Sequence, residues 1–196
     1  MAELGKLEYY LLAINVIGAL VYLINMLLYR HTARGQIDVV VTIVSLLGGS
    51  AGMLLMILLF DRKAEKENMM SRVFIICVFV IQVIVLLIFK GHHAEHFTFA
   101  FWKFFAEHRI LLIYLGIMNL VTFIAFAIDK ANAKAHRSRI RIMTLLGLSF
   151  AGGSVGGLIS MYLFRHKTQK DYFAVGMPLI IVMQVVVLFY AMNAGW

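Results

Sequence analysis

The sequence predicts an all-α polytopic membrane protein, with six transmembrane helices arranged as two three-helix inverted repeats joined by an interfacial amphipathic helix. Three observations predict it. The 196 residues are 62% hydrophobic and 14% charged, with a mean hydropathy of +0.89; a soluble domain of this size cannot hide so much apolar surface. The apolar residues fall into six runs, each near the ~20 residues needed to cross a hydrocarbon core. The chain also repeats itself at a fixed offset.

The six spans are placed at Leu7–Tyr29, Ile37–Phe60, Arg72–Phe89, Arg109–Ile128, Ile140–Phe164 and Phe173–Met192. They must be helical, because an isolated strand would leave its amides unpaired in lipid and the runs lack the alternation of barrel strands. The first span reads as a retained helix: Glu3 and Glu8 precede or open it, its apolar run is too long for a signal core, and no small-residue cleavage site comes after it. Between the third and fourth spans, Phe97, Phe101, Phe104 and Phe105 recur at helical spacing beside Trp102. That pattern predicts an amphipathic helix lying in the headgroup region. The organisation expected is residues 1–90 as the first repeat, 91–108 as the linker and 109–196 as the second repeat.

An offset of 104 positions brings Tyr10 onto Tyr114, Asn15 onto Asn119 and Ser45 onto Ser149. In the same register Gly48, Gly49, Ser50 and Gly52 meet Gly152, Gly153, Ser154 and Gly156, and Lys63 meets Lys167. A gap of two residues then aligns Gln82 with Gln184. Apolar coincidences are cheap in membrane segments, whereas matched glycines, amides and lysines in one register are not. Three crossings per repeat is an odd number. If the linker stays on one face, the second repeat enters from the opposite side, and the halves are related by a pseudo-twofold axis in the membrane plane.

The glycines lie four apart along each second span with a serine one turn earlier, a stripe that lets helix backbones approach closely. The stripe serves packing alone, or it marks a broken helix whose freed amides face a polar cavity. Asn15, Asn119, Gln82 and Gln184 lie within spans, where amides need partners; they bond between helices or line a solute path. Arg137, Arg139 and Arg141, and then Arg165, His166, Lys167 and Lys170, form two basic clusters suited to anionic lipid headgroups. In this topology the two clusters lie on opposite membrane faces and should not form one site unless a loop dips inward. Asp129 is the acid nearest the core, a candidate for proton or cation handling or for an ion pair with Lys130 or a neighbouring arginine. His92, His93 and His96 with Glu95 could bind a transition metal, since one helical turn separates His92 from His96, but the string matches no metal signature, so exposed interfacial histidines are expected and no metal or other cofactor.

The net charge of +8 lies in short loops between apolar runs, which points to lipid and topology rather than nucleic acid. The single Cys77 permits no internal disulfide. No nucleophile elbow, phosphate-binding loop or zinc-hydrolase string is present, so catalysis has no candidate base or nucleophile.

Ile128-Asp129-Lys130, the basic run to Arg141, Gly152-Gly153-Ser154-Val155-Gly156 and the string Phe164-Arg165-His166-Lys167-Thr168 resemble a bacterial membrane family catalogued as domain of unknown function 1294. Gly176 and Pro178 continue the resemblance, which covers roughly residues 111–192. The first repeat looks like a diverged copy, with Asp61-Arg62-Lys63-Ala64 in place of the basic string and Asn25 in place of Asp129. The resemblance implies a bacterial cytoplasmic membrane protein and supplies no reaction. Two functions remain: a transporter or channel for an ion or small polar solute, and a non-transporting protein that binds anionic headgroups or scaffolds a partner. Monomer and homo-oligomer are both open.

Overall fold

The computed structural model describes residues 5–31, 37–63, 65–92 and 97–194, and these form two compact units, Met1–Val85 and Leu86–Trp196. Every regular element among the described residues is helical. Six helical stretches are long and apolar enough to cross a membrane: Lys6–His31, Asp38–Phe60, Met69–Phe89, Arg109–Lys134, Ile142–Leu163 and Asp171–Asn193. They fall where hydropathy puts them. Two of the six are not straight.

In the first unit, α1 (Lys6–His31) is followed by α2 (Asp38–Val44), a five-residue wide turn Ser45–Gly49, α3 (Ser50–Phe60) and α4 (Met69–Phe89). The helix breaks at Gly48, whose φ of 116° lies in a region that residues with a Cβ rarely adopt. At this break the chain changes direction. Ile37, just ahead of α2, donates its backbone N–H to Asn25 Oδ1 at 2.9 Å. Past the break, Gly52 N–H donates to Asn15 Oδ1 at 2.7 Å. At the end of α3, Arg30 donates to the Phe60 carbonyl at 3.0 Å and Tyr22 Oη donates to Asp61 Oδ2 at 2.7 Å. The chain therefore leaves the Asn25 region, descends to Asn15 and returns. α2 runs antiparallel to α1, and α3 runs parallel to it.

The second unit repeats this path. Its order is α5 (Phe101–Glu107), α6 (Arg109–Lys134), α7 (Ile142–Leu148), the wide turn Ser149–Gly153, α8 (Ser154–Leu163), the short α9 (Asp171–Ala174) and α10 (Gly176–Asn193). Gly152 breaks the helix with φ 113°. Ile140 N–H donates to Asp129 Oδ1 at 2.9 Å, Gly152 carbonyl accepts from Asn119 Nδ2 at 2.9 Å, and the Ser160 hydroxyl donates to the Phe123 carbonyl at 3.0 Å. His166 Nε2 then lies 2.9 Å from Asp129 Oδ2. One carboxylate thus touches both ends of the segment. This corrects the expectation of a straight crossing at Ile37–Phe60 and Ile140–Phe164: each is a helical hairpin that returns to the end it left. Each limb is about 17 Å long at 1.5 Å per residue, short of the ~30 Å that a crossing needs.

The break holds because the backbones are close. A Cβ on Gly52 would collide with the Asn15 carbonyl oxygen, and one on Gly156 with that of Asn119. α4 starts at the base of its hairpin, where Arg72 Nη2 meets Asp61 Oδ2 at 3.1 Å, and reaches the break at Gln82. It therefore runs antiparallel to α1. α9 and α10 together do the same in their unit, from Phe173 in α9, whose ring stands edge-on to Phe126 at 5.4 Å, down to Gln184 in α10. Tyr22, Met26, Val41, Met53, Ile57 and Ile75 form the first unit's core. Outside, large apolar side chains stay exposed along the helices, among them Leu12, Leu20, Val39, Leu58, Ile113 and Leu163.

The linker differs from its expectation. α5 covers only Phe101–Glu107 and buries none of its residues, and Trp102 is 90% exposed. Ahead of it, Thr98 N–H donates to Asn193 Oδ1 at 2.6 Å, and Phe99 packs on Phe189 with ring centroids 5.2 Å apart. This tethers the segment to the end of α10. His93 and His96 lie outside the described residues; His92 is exposed just beyond α4.

Candidate functional site

Two polar assemblies recur in each unit, one at the hairpin break and one at its base. A helix that breaks away from its axis frees carbonyls and amides that must find partners wherever water is excluded. In the first unit Gln82 Nε2 donates to the Ser45 and Leu46 carbonyls at 2.7 and 3.1 Å, and Tyr10 Oη donates to the Leu47 carbonyl at 2.7 Å. Ser50 Oγ donates to Gln82 Oε1. Asn15 receives the Gly52 N–H and returns its own Nδ2 to the Leu11 carbonyl at 2.8 Å. In the second unit Gln184 donates to the Ser149 and Phe150 carbonyls at 2.7 and 3.2 Å, Tyr114 to Ala151 at 2.7 Å, and Ser154 to Gln184. Asn119 receives the Gly156 N–H at 2.6 Å and donates to Leu115 and Gly152. The amides that were candidates for a path are thus engaged with the freed backbone of the hairpin beside them. One difference remains: Ser149 Oγ donates to the Leu145 carbonyl at 2.9 Å, whereas among the described residues Ser45 Oγ is buried with no partner.

The bases carry charge. In the second unit Asp129 is fully buried, and Lys167 Nζ lies 2.7 Å from its Oδ2 beside His166. Arg165 and Lys167 hold positive φ of 46° and 63°, a strained backbone for residues with a Cβ that aims the side chains of His166 and Lys167 inward. Burial pushes the Lys167 ammonium below the ordinary lysine range; contact with Asp129 offsets part of this, and nearby Arg139 adds to it. Lys167 also sits 5.0 Å over the Phe173 ring. Two expectations need correcting here. The partner of Asp129 is neither Lys130 nor an arginine, and the Asp129 region and the Arg165–Lys170 region meet at one place, because the hairpin folds back. Arg137, Arg139, Arg141, Arg165 and Lys170 remain exposed around it.

The first unit's base is one that sequence reasoning missed. Asp61 is 1% exposed and accepts from Tyr22 at 2.7 Å, Tyr29 at 2.6 Å and Asn68 at 3.0 Å, with Arg72 and Arg30 at 3.1 and 3.6 Å. Burial pushes this carboxyl up, but hydrogen bonds from Tyr29, Tyr22 and Arg72 outweigh it and hold the group below the usual carboxylate range. Arg72 also donates to the Asp61 and Lys63 carbonyls. The signal was available: Arg72 opens an apolar run, and a charge there demands a partner. Next to Asp61 a cleft of about 460 Å³ opens, lined in part by Tyr29, Arg30, Phe60, Arg62 and Lys63.

With this geometry in place, comparison with known proteins identifies the second unit's segment. A family model described as "Protein of unknown function (DUF1294)" matches residues 119–173. An uncharacterized protein of Bacillus subtilis (strain 168), YsdA, is 34% identical over 79 residues, which cover 40% of this chain and 89% of that protein. The chain belongs to the DUF1294 family. The DUF1294 segment opens at Asn119, the residue that caps the break, and ends at Phe173, behind the Asp129–Lys167 pair. It therefore contains one whole hairpin with residues of both its polar assemblies. No solved structure matches the chain.

Proposed function

We propose that this DUF1294 protein is a multi-pass protein of the bacterial cytoplasmic membrane, each unit combining two crossing helices with a re-entrant helical hairpin, and that it holds anionic lipid headgroups at the hairpin bases. The apolar exterior supports embedding, since side chains such as Leu20, Ile113 and Leu163 would otherwise face water. The observation that carries the headgroup reading is where the exposed cations lie: Arg30, Arg62 and Lys63 in one unit, and Arg137, Arg139, Arg141, Arg165 and Lys170 in the other, ring the hairpin bases. The paired hydrogen bonds at the 104-residue offset support a tandem duplication. The inverted arrangement rested on three crossings per repeat. With a re-entrant hairpin each unit has two, so the odd-number argument for inversion no longer applies.

Transfer of purified protein into nanodiscs of phosphatidylcholine, with and without phosphatidylglycerol, tests this reading. It predicts a higher unfolding temperature in the anionic discs, with the gain reduced by high salt. Equal unfolding temperatures would remove it. A second reading, a conduit for an ion or small polar solute, draws on the helix breaks at depth in both units. Against it stands the engagement of the break residues with their own backbone. Solute flux into proteoliposomes would decide for it.

A further inference from the structure

We infer that the cleft at the base of the first unit's hairpin is a binding site for a phosphate group, presented by a lipid headgroup or in free form; this rests on the headgroup reading and names its place. The cleft is lined by Tyr29, Arg30, Phe60, Arg62, Lys63 and Glu65, with Asp61 at its wall. Its volume of about 460 Å³ accommodates a phosphate with its glycerol.

The charge balance favours an anion. Asp61 would be expected to repel one, but its carboxylate is already covered by two tyrosine hydroxyls, the Asn68 amide and the buried Arg72. Arg72 and Arg30 both face Asp61, which leaves one cation in excess there, and Arg62 and Lys63 outnumber Glu65. The surplus is positive.

The two arginines are also held in place. Arg30 Nη2 donates to the Phe60 carbonyl at 3.0 Å, and Arg62 Nε donates to the Leu58 carbonyl at 3.1 Å. Each guanidinium has five N–H groups, so anchoring one nitrogen fixes the plane and leaves others for a ligand. A planar fork fixed beforehand loses less entropy on engaging phosphate oxygens. Arg30 keeps 44% of its side chain exposed, and Arg62 and Lys63 are exposed.

The surroundings suit a lipid. Leu58, Leu59 and Phe60 are 61%, 50% and 55% exposed immediately before the basic residues, giving acyl chains a continuous apolar track beside the cleft. The second unit offers no such arrangement, because His166 and Lys167, the counterparts of Arg62 and Lys63, are turned onto Asp129.

The test uses the full chain in nanodiscs, comparing phosphatidylcholine discs containing phosphatidic acid or phosphatidylglycerol, with inorganic phosphate as a soluble competitor. Retained lipid is counted by native mass spectrometry. The Arg62→Gln/Lys63→Gln pair is exposed and outside the Asp61 side-chain bonds, and should lower anionic-lipid affinity about thirtyfold at roughly one charge's attraction each. Lys90→Gln/Lys103→Gln, exposed and away from both hairpin bases, should lower it far less. Arg62→Lys should restore part of the loss of Arg62→Gln, and unchanged unfolding in phosphatidylcholine confirms that the variants are folded. Displacement of lipid by millimolar inorganic phosphate identifies the phosphate itself as the recognised group. Binding of inorganic phosphate with no lipid preference makes free phosphate the ligand. Anionic preference that survives Arg62→Gln/Lys63→Gln overturns the cleft while leaving the headgroup reading intact. Absence of any phosphate or anionic-lipid binding by the unaltered protein overturns both.

Discussion

The two units hold the same hairpin with opposite wiring at its base. In the second unit the acid is on the first long helix: Asp129 reaches across to Ile140 at the start of the hairpin and to His166 and Lys167 at its end. In the first unit the acid is Asp61, at the end of the hairpin, and the long helix answers with Tyr22, Tyr29 and Arg30. Asn25, at the position matching Asp129, keeps the contact with the hairpin's start as a neutral acceptor for Ile37. What the fold requires is a polar clamp tying both hairpin ends to one helix; which side bears the charge is free to change. The consequence is functional. Where the acid sits on the helix, the basic string turns inward; where it sits on the hairpin, Arg62 and Lys63 face outward.

The comparison can be broken most forcefully at Asp129. Asp129→Ala leaves the half-buried Lys167 as an unpaired cation and strips the Ile140 N–H of its acceptor, so unfolding in detergent should become easier by about 3 kcal/mol, the lower end for a broken buried pair. Asp129→Asn, which restores the Asn25-like acceptor, should recover the Ile140 part and not the charge part. If the two variants behave alike, the clamp at the hairpin's start contributes nothing.

Next in size are the break residues, where the units should behave in parallel. Asn119 makes three hydrogen bonds in its network and Asn15 makes two. At about 1–3 kcal/mol per orphaned buried group, Asn119→Ala should cost more than Asn15→Ala. Gly48→Ala and Gly152→Ala both force a Cβ into positive φ and should each cost about 1–2 kcal/mol; thermal unfolding of the four variants side by side ranks them. A cost confined to one unit would show that only one hairpin depends on its break.

The smallest effect is acid sensitivity in the first unit. Because the Asp61 carboxyl is held below its ordinary range, its contribution is complete above the unfolded value near ~4 and fades as pH falls through the folded value. Unfolding temperature followed from about pH 6 down to about pH 2.5 should drop more steeply for the unaltered chain than for Asp61→Asn. Parallel curves would mean that Asp61 is not clamped as described.

Much of this was legible in the chain. Hydropathy locates the six apolar stretches because each is long and nearly free of charge, and the matched asparagines, glutamines and glycines mark the breaks. Direction was not legible. Hydropathy reports composition, and a segment that turns back at one glycine has the same composition as one that runs straight through. Gly48-Gly49 and Gly152-Gly153 were visible, but close packing and reversal ask for the same residue. The partner of Asp129 was misread for that reason alone, since a straight span carries Lys167 to the far end. Asp61 carries no mark of its own in the chain, where it is one more charge at the rim of an apolar run; only the charge of Arg72 at the start of α4 asks for it as a partner.

The reversal itself is best tested by side-specific labelling within one unit. With Cys77, buried in α4, replaced by alanine, single cysteines at Ser138 and Gln169 flank the second unit's hairpin on exposed loops. A membrane-impermeant maleimide added to oriented membrane vesicles should modify Ser138→Cys and Gln169→Cys from the same side. Modification from opposite sides would mean that residues 142–163 cross the bilayer, contradicting the hairpin.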